Sequence, residues 1–464
     1  MEYVENRTLA EIEVGESAEI TRELTRRDIE LFAVMSGDVN PTHVDPEYAE
    51  NGRFERIVGH GMWGGALISA VLGAKLPGPG TVYVDQKLHF RRSMVAGDVI
   101  TARATVTAKD METGEVRLDC LCLDADGETV IEGEAVVQAP REKVRRPRAV
   151  LPEVTLHTPG ARFRALVEQA AQLETLATAV VHPCDAASLE GALAAREAGL
   201  IAPLLVGPRA KIEAAAEGCG VSLEGLEIVD VPHSHAAAEA AVRLVREGRA
   251  EALMKGKLHT DELLEAVLRK EGGLRTDRRL SHVFALDVPS HPRMLHVTDA
   301  AINIDPDLEA LADIVRNAVD LLRALGTDQP RVALLSAVET VTGRLPSTIE
   351  AAAICKMRDR GQIEAGVIDG PLAFDNAISA EAARTKGIVS AVAGQPDVLV
   401  VPNLESGNMI AKQLIYLAGA DAAGIALGAR VPIMLTSRSD GPGARLASAA
   451  LAVLMARRRR PPAD

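Results

Sequence analysis

A short basic segment divides the 464-residue chain into two parts of different character. Residues 139–148 read Ala-Pro-Arg-Glu-Lys-Val-Arg-Arg-Pro-Arg and cannot bury an apolar face. Before this segment, stretches of alternating apolar and polar residues surround one apolar helix. After it, apolar runs alternate with helical patterns as far as the C-terminus. We therefore predict a domain at residues 1–140, a linker at 141–152 and a larger domain at 153–464.

The charge of the chain limits its partners. The formal net charge is -14 at pH 7, which argues against nucleic acid and gives no long-range attraction for an anion. An anionic ligand would need a site built locally from arginine, lysine and helix N-termini. The first residues lack the basic and apolar regions of a signal peptide, and no uninterrupted apolar run reaches the roughly 18 residues of a membrane span. We expect a cytoplasmic protein with no membrane partner.

The first 140 residues predict a sheet wrapped around one helix. Thr25 is placed to cap a helix that stops at Gly37, and an apolar helix should begin near residues 57–62. After Gly37, Pro41 and Pro46 favour an extended path with turns over residues 38–46, and a second helix should begin after Asp45. An antiparallel meander should follow the apolar helix. Its four strand candidates are residues 81–90, 98–108, 115–124 and 128–138.

A carboxylate and an imidazole lie five residues apart on the segment that contains the two prolines. Asp38 and His43 could contact one water molecule and act as general acid and base, a pair suited to adding water across a double bond. The enolate formed in that reaction needs hydrogen-bond donors, and the backbone N–H of Gly61 would be one. The Asp-x-Asn-Pro sequence is also common in turns and N-caps, so the residues alone leave a structural role open.

Three stretches, at residues 36–45, 58–62 and 76–81, resemble the MaoC-like, (R)-specific enoyl-CoA hydratases in order and spacing. The resemblance covers nearly all of residues 10–140 and implies a hot-dog fold, an α+β domain that is normally dimeric with its site near the interface. The sequence departs from many relatives at Gly59, which separates the apolar residue from the following histidine. This glycine could alter the pocket without removing a catalytic group.

The same resemblance implies roles for individual residues. Asp38 and His43 match the family's catalytic pair. The residues that match its substrate-binding positions are Asn40, Gly61 and Ser69. Thioesterases share the hot-dog scaffold, so hydrolysis of a CoA thioester is the alternative activity for this domain.

The alternation after the linker predicts an α/β domain with a parallel sheet, arranged as two lobes around a cleft. Ligands of such sheets bind beyond the carboxyl ends of the strands. Three strand ends carry residues suited to an anion, at 254–260, 401–408 and 435–441. The last includes Arg438, whose guanidinium could form two hydrogen bonds with phosphate. An ordinary N-cap would explain each strand end alone, and the three together predict a phosphate ligand.

These strand ends, with residues 182–185, 297–303 and 369–375, resemble the phosphate acetyltransferase and phosphate butyryltransferase family. The resemblance covers essentially all of residues 155–455. It implies conversion of acyl-CoA and phosphate into acyl phosphate and free CoA. The expected ligands are therefore CoA thioesters and inorganic phosphate, without a tightly bound cofactor or metal.

The resemblance also implies a mechanism of direct attack, with no acyl-enzyme. Arg438 would neutralise the phosphate, and Ser437 would hydrogen-bond the reacting carbonyl or thiol. The acetyltransferase branch has an aspartate six residues after this arginine, where the present chain has Ala444, so a butyryl-type or a weakened enzyme is implied as an alternative. The remaining substrate-binding positions are Lys255, Asp299, Asp369, Ser406, Gly407 and Asn408.

The leading hypothesis is a bifunctional enzyme in which an enoyl-CoA hydratase precedes a phosphotransacylase. The dimerising relatives of both domains imply a homo-oligomer that assembles through both domains. The second hypothesis is an active hydratase whose C-terminal domain holds CoA esters and assembles the protein without turnover. A NAD-dependent oxidoreductase is disfavoured because no predicted strand leads into a GxGxxG sequence.

Overall fold

The computed structural model describes residues 3–151, 154, 156, 158, 160–436 and 441–458. The chain divides into two compact units, Met1–Leu156 and His157–Asp464. Each unit has an apolar core of its own. Within the described ranges, every helix is too short or too polar to cross a bilayer.

The first unit is a curved antiparallel sheet around a central helix. Its described elements, in chain order, are β1 (Tyr3–Glu5), β2 (Ser17–Glu23), α1 (Arg26–Ser36), α2 (Pro41–Val44), α3 (Pro46–Glu50), α4 (Gly61–Ala74), β3 (Val82–Phe90), β4 (Val99–Lys109), β5 (Glu115–Leu123), β6 (Thr129–Gln138) and β7 (Arg145–Pro147). Five of the strands form a sheet in the order β2-β4-β5-β6-β3. The buried side of α4, which includes Trp63, Ile68 and Leu72, packs against this sheet. The predicted hot-dog arrangement is confirmed.

The four predicted strands agree with β3 to β6 within one residue at each end. The predicted meander is wrong for β3, which pairs with β6 at the edge of the sheet instead of with β4. The chain between β3 and β4 does not form a tight hairpin because it is held near the start of α4. There the Gly59 N–H donates to the Met94 carbonyl at 2.7 Å.

The first helix begins and ends as predicted. Thr25 forms a capping box with Asp28, and Gly37 ends α1 with a φ of 76°. The extended path predicted after it is wrong at Pro41, which starts the short helix α2, whereas the helix predicted after Asp45 is present as α3, which begins at Pro46. Proline is favoured at the first helical position, where its missing N–H would have no partner in the helix.

The start of the predicted linker is ordered against the first unit. Strand β7 pairs with β1, and Lys143 forms ion pairs with Glu5 and Glu11. The Thr8 backbone N–H and Lys143 lower the pKa of Glu11 to about 2. The basic composition of this segment therefore reflects acidic partners on the first unit.

The second unit alternates strands and helices. Its described elements, in chain order, are α5 (Ala161–Ala171), β8 (Leu176–Val181), α6 (Ala186–Glu197), β9 (Ile201–Gly207), α7 (Arg209–Cys219), β10 (Glu227–Asp230), α8 (Ser234–Arg246), β11 (Ala252–Lys255), α9 (Thr260–Leu268), β12 (Ser281–Asp287), β13 (Leu295–Thr298), α10 (Leu308–Ala324), β14 (Arg331–Leu335), α11 (Pro346–Asp359), β15 (Val367–Leu372), α12 (Phe374–Ile378), α13 (Ala380–Thr385), β16 (Val398–Val400), α14 (Leu404–Tyr416), β17 (Asp421–Leu427), β18 (Ile433–Met434) and α15 (Pro442–Arg458). The predicted α/β class is confirmed.

Among the described residues, the strands of this unit form one sheet of eleven, in the order β10-β9-β8-β11-β18-β17-β12-β13-β16-β14-β15. Both ends of the sheet are parallel, but the pairings β18-β17, β17-β12 and β12-β13 are antiparallel. The expectation of a wholly parallel sheet is therefore corrected. Strands β11 and β18 run one way and β13 and β16 the other, so their carboxyl ends lie at opposite edges of the sheet.

Strand β17 was not predicted, because its sequence Asp-Ala-Ala-Gly-Ile-Ala-Leu lacks a β-branched run. Close packing explains the glycine at position 424 of this strand. A Cβ at this position would lie 2.5 Å from the Leu435 carbonyl oxygen and 2.8 Å from Nε2 of His282. The absence of a side chain lets an imidazole from β12 reach across β17 toward the end of β18.

Candidate active sites

The loop after α1 positions the predicted catalytic pair of the first unit. The Asp38 side chain is 52% exposed, and its Oδ1 accepts from the Asn40 N–H at 3.2 Å. Asn40 caps α2, its Oδ1 accepting from the backbone N–H of Thr42 at 3.2 Å and from the Thr42 hydroxyl at 3.0 Å. Asn40 thus shapes the short helix that carries His43.

The hydrogen bond of His43 fixes its tautomer. Its Nδ1 lies 2.8 Å from the carbonyl oxygen of Val58. A carbonyl can only accept, so Nδ1 carries the hydrogen and Nε2 of the neutral ring carries a lone pair. His43 can therefore take a proton from water at Nε2.

A second histidine, to which the sequence analysis gave no role, lies beside the pair. His60 is only 2% exposed, and its Nε2 is 3.0 Å from the main-chain carbonyl oxygen of Asp38. The ring centroids of His60 and His43 are 3.9 Å apart. One donor atom from each of Asp38, His43 and His60 lies within 4.8 Å of the others. A histidine between two glycines at the start of an apolar helix was the available signal.

Two imidazoles and a carboxylate could also hold a divalent first-row metal ion. Because Nε2 of His60 faces a carbonyl, it must carry a hydrogen. Metal binding through that atom would require the hydrogen bond to Asp38 to break.

The first turn of α4 offers a backbone donor. His60 is the N-cap and forms no side-chain capping bond. In the described part of the chain, the Gly61 N–H has no hydrogen-bond acceptor, as is common in the first turn of a helix. A Cβ at Gly61 would lie 3.1 Å from ring carbons of Phe90. Gly61 is exposed and therefore leaves an N–H open to a ligand, with the Phe90 ring on one side.

Ser69 lies farther away than the other predicted residues. It is eight positions beyond Gly61 on α4, about 12 Å along the helix axis. Its hydroxyl hydrogen-bonds Tyr83 on β3. Burial raises the pKa of Tyr83, and the bond from Ser69 opposes that shift.

In the second unit, Asp299 is a buried carboxylate whose hydrogen bonds close its own turn. It is 2% exposed and accepts from the backbone N–H groups of Ala301, Ile302 and Asn303 at 3.0–3.1 Å. It also accepts from Nδ2 of Asn303 at 2.5 Å. These four donors give Asp299 a structural role in the described chain.

The start of α14 packs against this turn. A Cβ at Gly407 would lie 2.9 Å from the Asp299 carbonyl oxygen, and Nδ2 of Asn408 donates to the Ala300 carbonyl at 3.3 Å. The Ser406 hydroxyl instead bonds Asn403, the N-cap of the helix. The structure therefore brings Asp299, Gly407 and Asn408 together and leaves Ser406 engaged in capping.

Lys255 and Asp369 lie apart from that cluster. Lys255 is 5% exposed and ends β11, at the opposite edge of the sheet from the end of β13. Asp369 on β15 is level with Val297 on β13 but three strands away, about 14 Å. Its Oδ1 accepts from the Gly370 N–H at 2.8 Å.

Ser437 and Arg438, the predicted catalytic residues of this unit, lie outside the described residues. Thr436, directly before them, is buried and accepts a hydrogen bond from Nη1 of Arg445 at 2.8 Å. Arg445 itself is 5% exposed. Its signal in the sequence was an arginine in the first turn of the otherwise alanine-rich helix α15.

The Arg445 guanidinium lies close to α6. A Cβ at Gly191 would be 2.3 Å from Cδ of Arg445. Arg445 also acts on Asp185, the N-cap of α6. Burial opposes ionisation of Asp185, but hydrogen bonds from Ser188 and the charges of Arg445 and Lys257 lower its pKa.

His282 on β12 is a buried residue between two strand ends. It hydrogen-bonds the Leu435 carbonyl and interacts with the charge of Asp299. Its Nδ1 has no partner among the described residues, so Nε2 makes the bond. Burial lowers the pKa of His282, which favours the neutral ring.

Ala444 borders a cavity of about 390 Å³ whose wall is mainly apolar but also includes the charged residues Arg164, Glu168 and Asp421. Phe163 and Val167 of α5, Ala422 of β17 and Leu446 of α15 contribute to its wall. The position where the acetyltransferase branch has an aspartate is therefore next to apolar side chains.

Two family models match the chain. The one described as MaoC like domain matches residues 8–119, and the one described as Phosphate acetyl/butaryl transferase matches residues 233–453.

Similar proteins cover each unit. A phosphate acetyltransferase of Rhizobium meliloti is 61% identical over 300 residues, covering 65% of this chain and 95% of the relative. A branched-chain phosphotransacylase of Enterococcus faecalis V583, known by crystal structure, has 29% identity and a TM-score of 0.54, covering 61% of this chain and 99% of the other. The R-hydratase PhaJ1 of Pseudomonas aeruginosa has 40% identity and a TM-score of 0.33, covering 34% of this chain and 100% of the other.

Proposed function

The chain belongs to the phosphate acetyl/butyryltransferase family and carries a MaoC-like domain before that region, and on this premise we propose a bifunctional enzyme that acts on coenzyme A thioesters. The first unit would hydrate trans-2-enoyl-CoA to 3-hydroxyacyl-CoA. The second would convert acyl-CoA and phosphate into acyl phosphate and CoA. Neither reaction calls for a tightly bound cofactor.

The observation that carries the hydratase proposal is the state of the pair Asp38 and His43. The Val58 carbonyl holds the hydrogen of His43 on Nδ1, which leaves Nε2 as the base. Asp38 can accept a hydrogen bond from the same water. Nε2 takes one proton as the water oxygen bonds to the β-carbon, and a proton then reaches the α-carbon. One water molecule is consumed and no group leaves.

Gly61 supplies the second part of the proposed mechanism. Its N–H, at the positive end of α4, would donate to the thioester oxygen as negative charge develops there. Such a donor acts most strongly where water is excluded. Phe90 lies beside Gly61 but is half exposed, so a bound substrate would have to exclude water from this N–H.

For the second unit, we propose that the residues after Thr436 bind phosphate. A phosphate oxygen attacks the thioester carbonyl, the carbon–sulfur bond breaks, and CoA leaves as a thiolate that takes a proton. Ser437 and Arg438 would contact the reacting groups. The buried bond between Arg445 and Thr436 would hold the chain directly before them.

The cavity beside Ala444 supports an acyl group longer than acetyl for this reaction. The apolar part of its wall favours burial of additional methylene groups, at about 0.8 kcal/mol for each. A non-catalytic second unit is the alternative, favoured by the lack of a carboxylate at position 444.

We also propose that the protein is a homo-oligomer, with the first unit associating through β3. This strand lies at the edge of its sheet. Its exposed apolar residues are Val82, Tyr83, Val84 and Phe90. An exposed apolar edge strand favours pairing with another chain.

Two assays on the purified full chain test the proposal. The first follows hydration of crotonyl-CoA. The second follows release of CoA thiol from acetyl-, butyryl- and 3-hydroxybutyryl-CoA with and without phosphate, with Arg438→Ala as the control variant. We expect hydration, and thiol release that needs both phosphate and Arg438. Phosphate binding without acyl exchange would support the scaffold alternative, and thiol release from crotonyl-CoA without phosphate would indicate a thioesterase.

A further inference from the structure

We propose that His60 is a positioning residue for hydration, which holds Asp38 through its main chain and supports the ring of His43. This inference rests on the proposed hydratase function. It assigns a role to a side chain that would not itself touch the substrate.

The first contact is the hydrogen bond between His60 and Asp38. Nε2 of His60 donates to the Asp38 carbonyl oxygen at 3.0 Å and lies 3.9 Å from Oδ2 of the same residue. Asp38 follows the glycine that ends α1, and its side chain is half exposed. The bond therefore ties the main chain of Asp38, whose carboxylate is exposed, to a buried side chain at the start of α4.

The second contact is between rings. The imidazoles of His60 and His43 are tilted by 31° with centroids 3.9 Å apart, and Phe32 lies on His60 with a centroid distance of 4.9 Å. His60, which itself packs against Phe32, lies against one face of His43, while the Val58 carbonyl holds Nδ1 of His43. Together these contacts set the direction of Nε2 of His43.

The buried Nδ1 of His60 argues that the residue does more than fill space. No described residue hydrogen-bonds that atom. A buried nitrogen without a partner is destabilising, and a phenyl ring would fill a similar space without it. Imidazole is therefore favoured over phenyl only through its Nε2–H, the group that binds Asp38.

Two substitutions of His60 test its ring and its N–H donor separately. His60→Gln keeps an N–H donor at a similar reach and loses the ring, whereas His60→Phe keeps the ring and loses the donor. If His60 positions Asp38, we expect His60→Phe to lower kcat for crotonyl-CoA about 10²-fold, the scale for a catalytic group displaced by about 1 Å. The KM should change little, and His60→Gln should retain more activity than His60→Phe.

Hydrogen exchange gives a readout that does not depend on activity. Amides of residues 36–44 should exchange faster in His60→Phe than in the wild type or His60→Gln. The phosphotransacylase rate of each sample reports whether the rest of the chain is folded. A His60→Phe variant with kcat and protection equal to or above those of His60→Gln would overturn the proposal in favour of packing alone. A wild type that fails to hydrate crotonyl-CoA would refute the hydratase, and exchange would still decide whether His60 holds the loop.

Discussion

In the first unit, the candidate catalytic groups occupy one loop and the helix start that packs on it, whereas in the second unit the polar groups lie at strand ends on opposite edges of one sheet. Asp38, His43 and His60 bring donor atoms within 4.8 Å of one another although they come from only 23 consecutive residues, 38–60. In the second unit, Lys255 ends β11 and Asp299 follows β13, and these two strands run in opposite directions. The residues of the first site are close together in the sequence. Those of the second are far apart in sequence, so the order and direction of the strands must bring them together.

The two units also differ in how their predicted residues are hydrogen-bonded. No described residue hydrogen-bonds Nε2 of His43 or the N–H of Gly61. Asp299 and Ser406 instead are occupied by donors or acceptors of their own loops. A polar group without a hydrogen-bond partner can bind or react with a substrate. A group that already has partners holds the local backbone in place.

The largest expected effect comes from the catalytic pair. Asp38→Asn or His43→Ala should lower kcat for crotonyl-CoA hydration about 10³-fold, because general acid–base catalysis contributes about 10²–10⁴-fold. Loss of the enoyl chromophore measures the rate, with Asp126→Asn, an exposed turn residue, as the matched control. The phosphotransacylase rate should stay unchanged. Equal loss of both activities would break the comparison, because the units would not be functionally separate.

A smaller loss is expected from the buried guanidinium of the second unit. Arg445→Met removes the donor to Thr436 and should lower the phosphotransacylase rate about 10-fold to 10²-fold, the equivalent of one hydrogen bond from a charged group. Arg445→Lys should retain part of the activity. Phosphate-dependent release of CoA thiol is the measurement, and exposed Arg360→Met is the control. Full activity of Arg445→Met would show that Thr436 needs no such support.

Asp299 should affect stability more than binding. Asp299→Asn places an amide among N–H donors and should destabilise the second unit by about 2–3 kcal/mol, since buried donors lose their acceptor. Urea unfolding followed by residual phosphotransacylase activity measures this change. A raised KM for phosphate with unchanged unfolding would instead support the substrate-binding role that the resemblance implies for Asp299.

A still smaller effect is expected from mild acid, which should lower the stability of the second unit more than that of the first. Burial lowers the pKa of His282, His291 and His296, so below about pH 6.5 the unfolded second unit binds protons that the folded unit does not. Its stability should therefore fall between pH 7 and pH 5.5. In the first unit, the stabilising ionisation of Glu11, with a pKa of about 2, is lost only at much lower pH.

Urea unfolding at pH 7 and pH 5.5, with both activities assayed after return to pH 7, tests this difference. The midpoint for loss of phosphotransacylase activity should move to lower urea at pH 5.5, and that for hydration should move less. Equal movement of the two midpoints would contradict it.

The sequence predicted most of the elements because their signals are local. The cap at Thr25, the stop at Gly37 and the four strands that follow α4 depend on neighbouring residues alone. The partner of β3 and the antiparallel strands in the second sheet depend on contacts distant in sequence, and these were predicted wrongly. Strand β17 was missed because small residues, needed for close packing around Gly424, hide its pattern.

The site predictions divide along the same line. Asp38, His43 and Gly61 belong to a motif of adjacent segments, and the structure places them near one another. His60 and Arg445 were missed because burial gives them their importance, and burial depends on Phe32 in one case and on α6 in the other. The roles of Ser437 and Arg438 stay predictions.

The pairing of β1 with β7 has a consequence for protein engineering. Tyr3 is opposite Pro147 in this pair, so the chain enters and leaves the first unit at neighbouring positions, about 5 Å apart. A module with adjoining ends can be inserted into a surface loop of another protein, or circularly permuted through a short turn, with little strain on either partner. The first unit is thus suited to transfer into another protein, and assaying hydration after such an insertion would show how much of its activity depends on the rest of the chain.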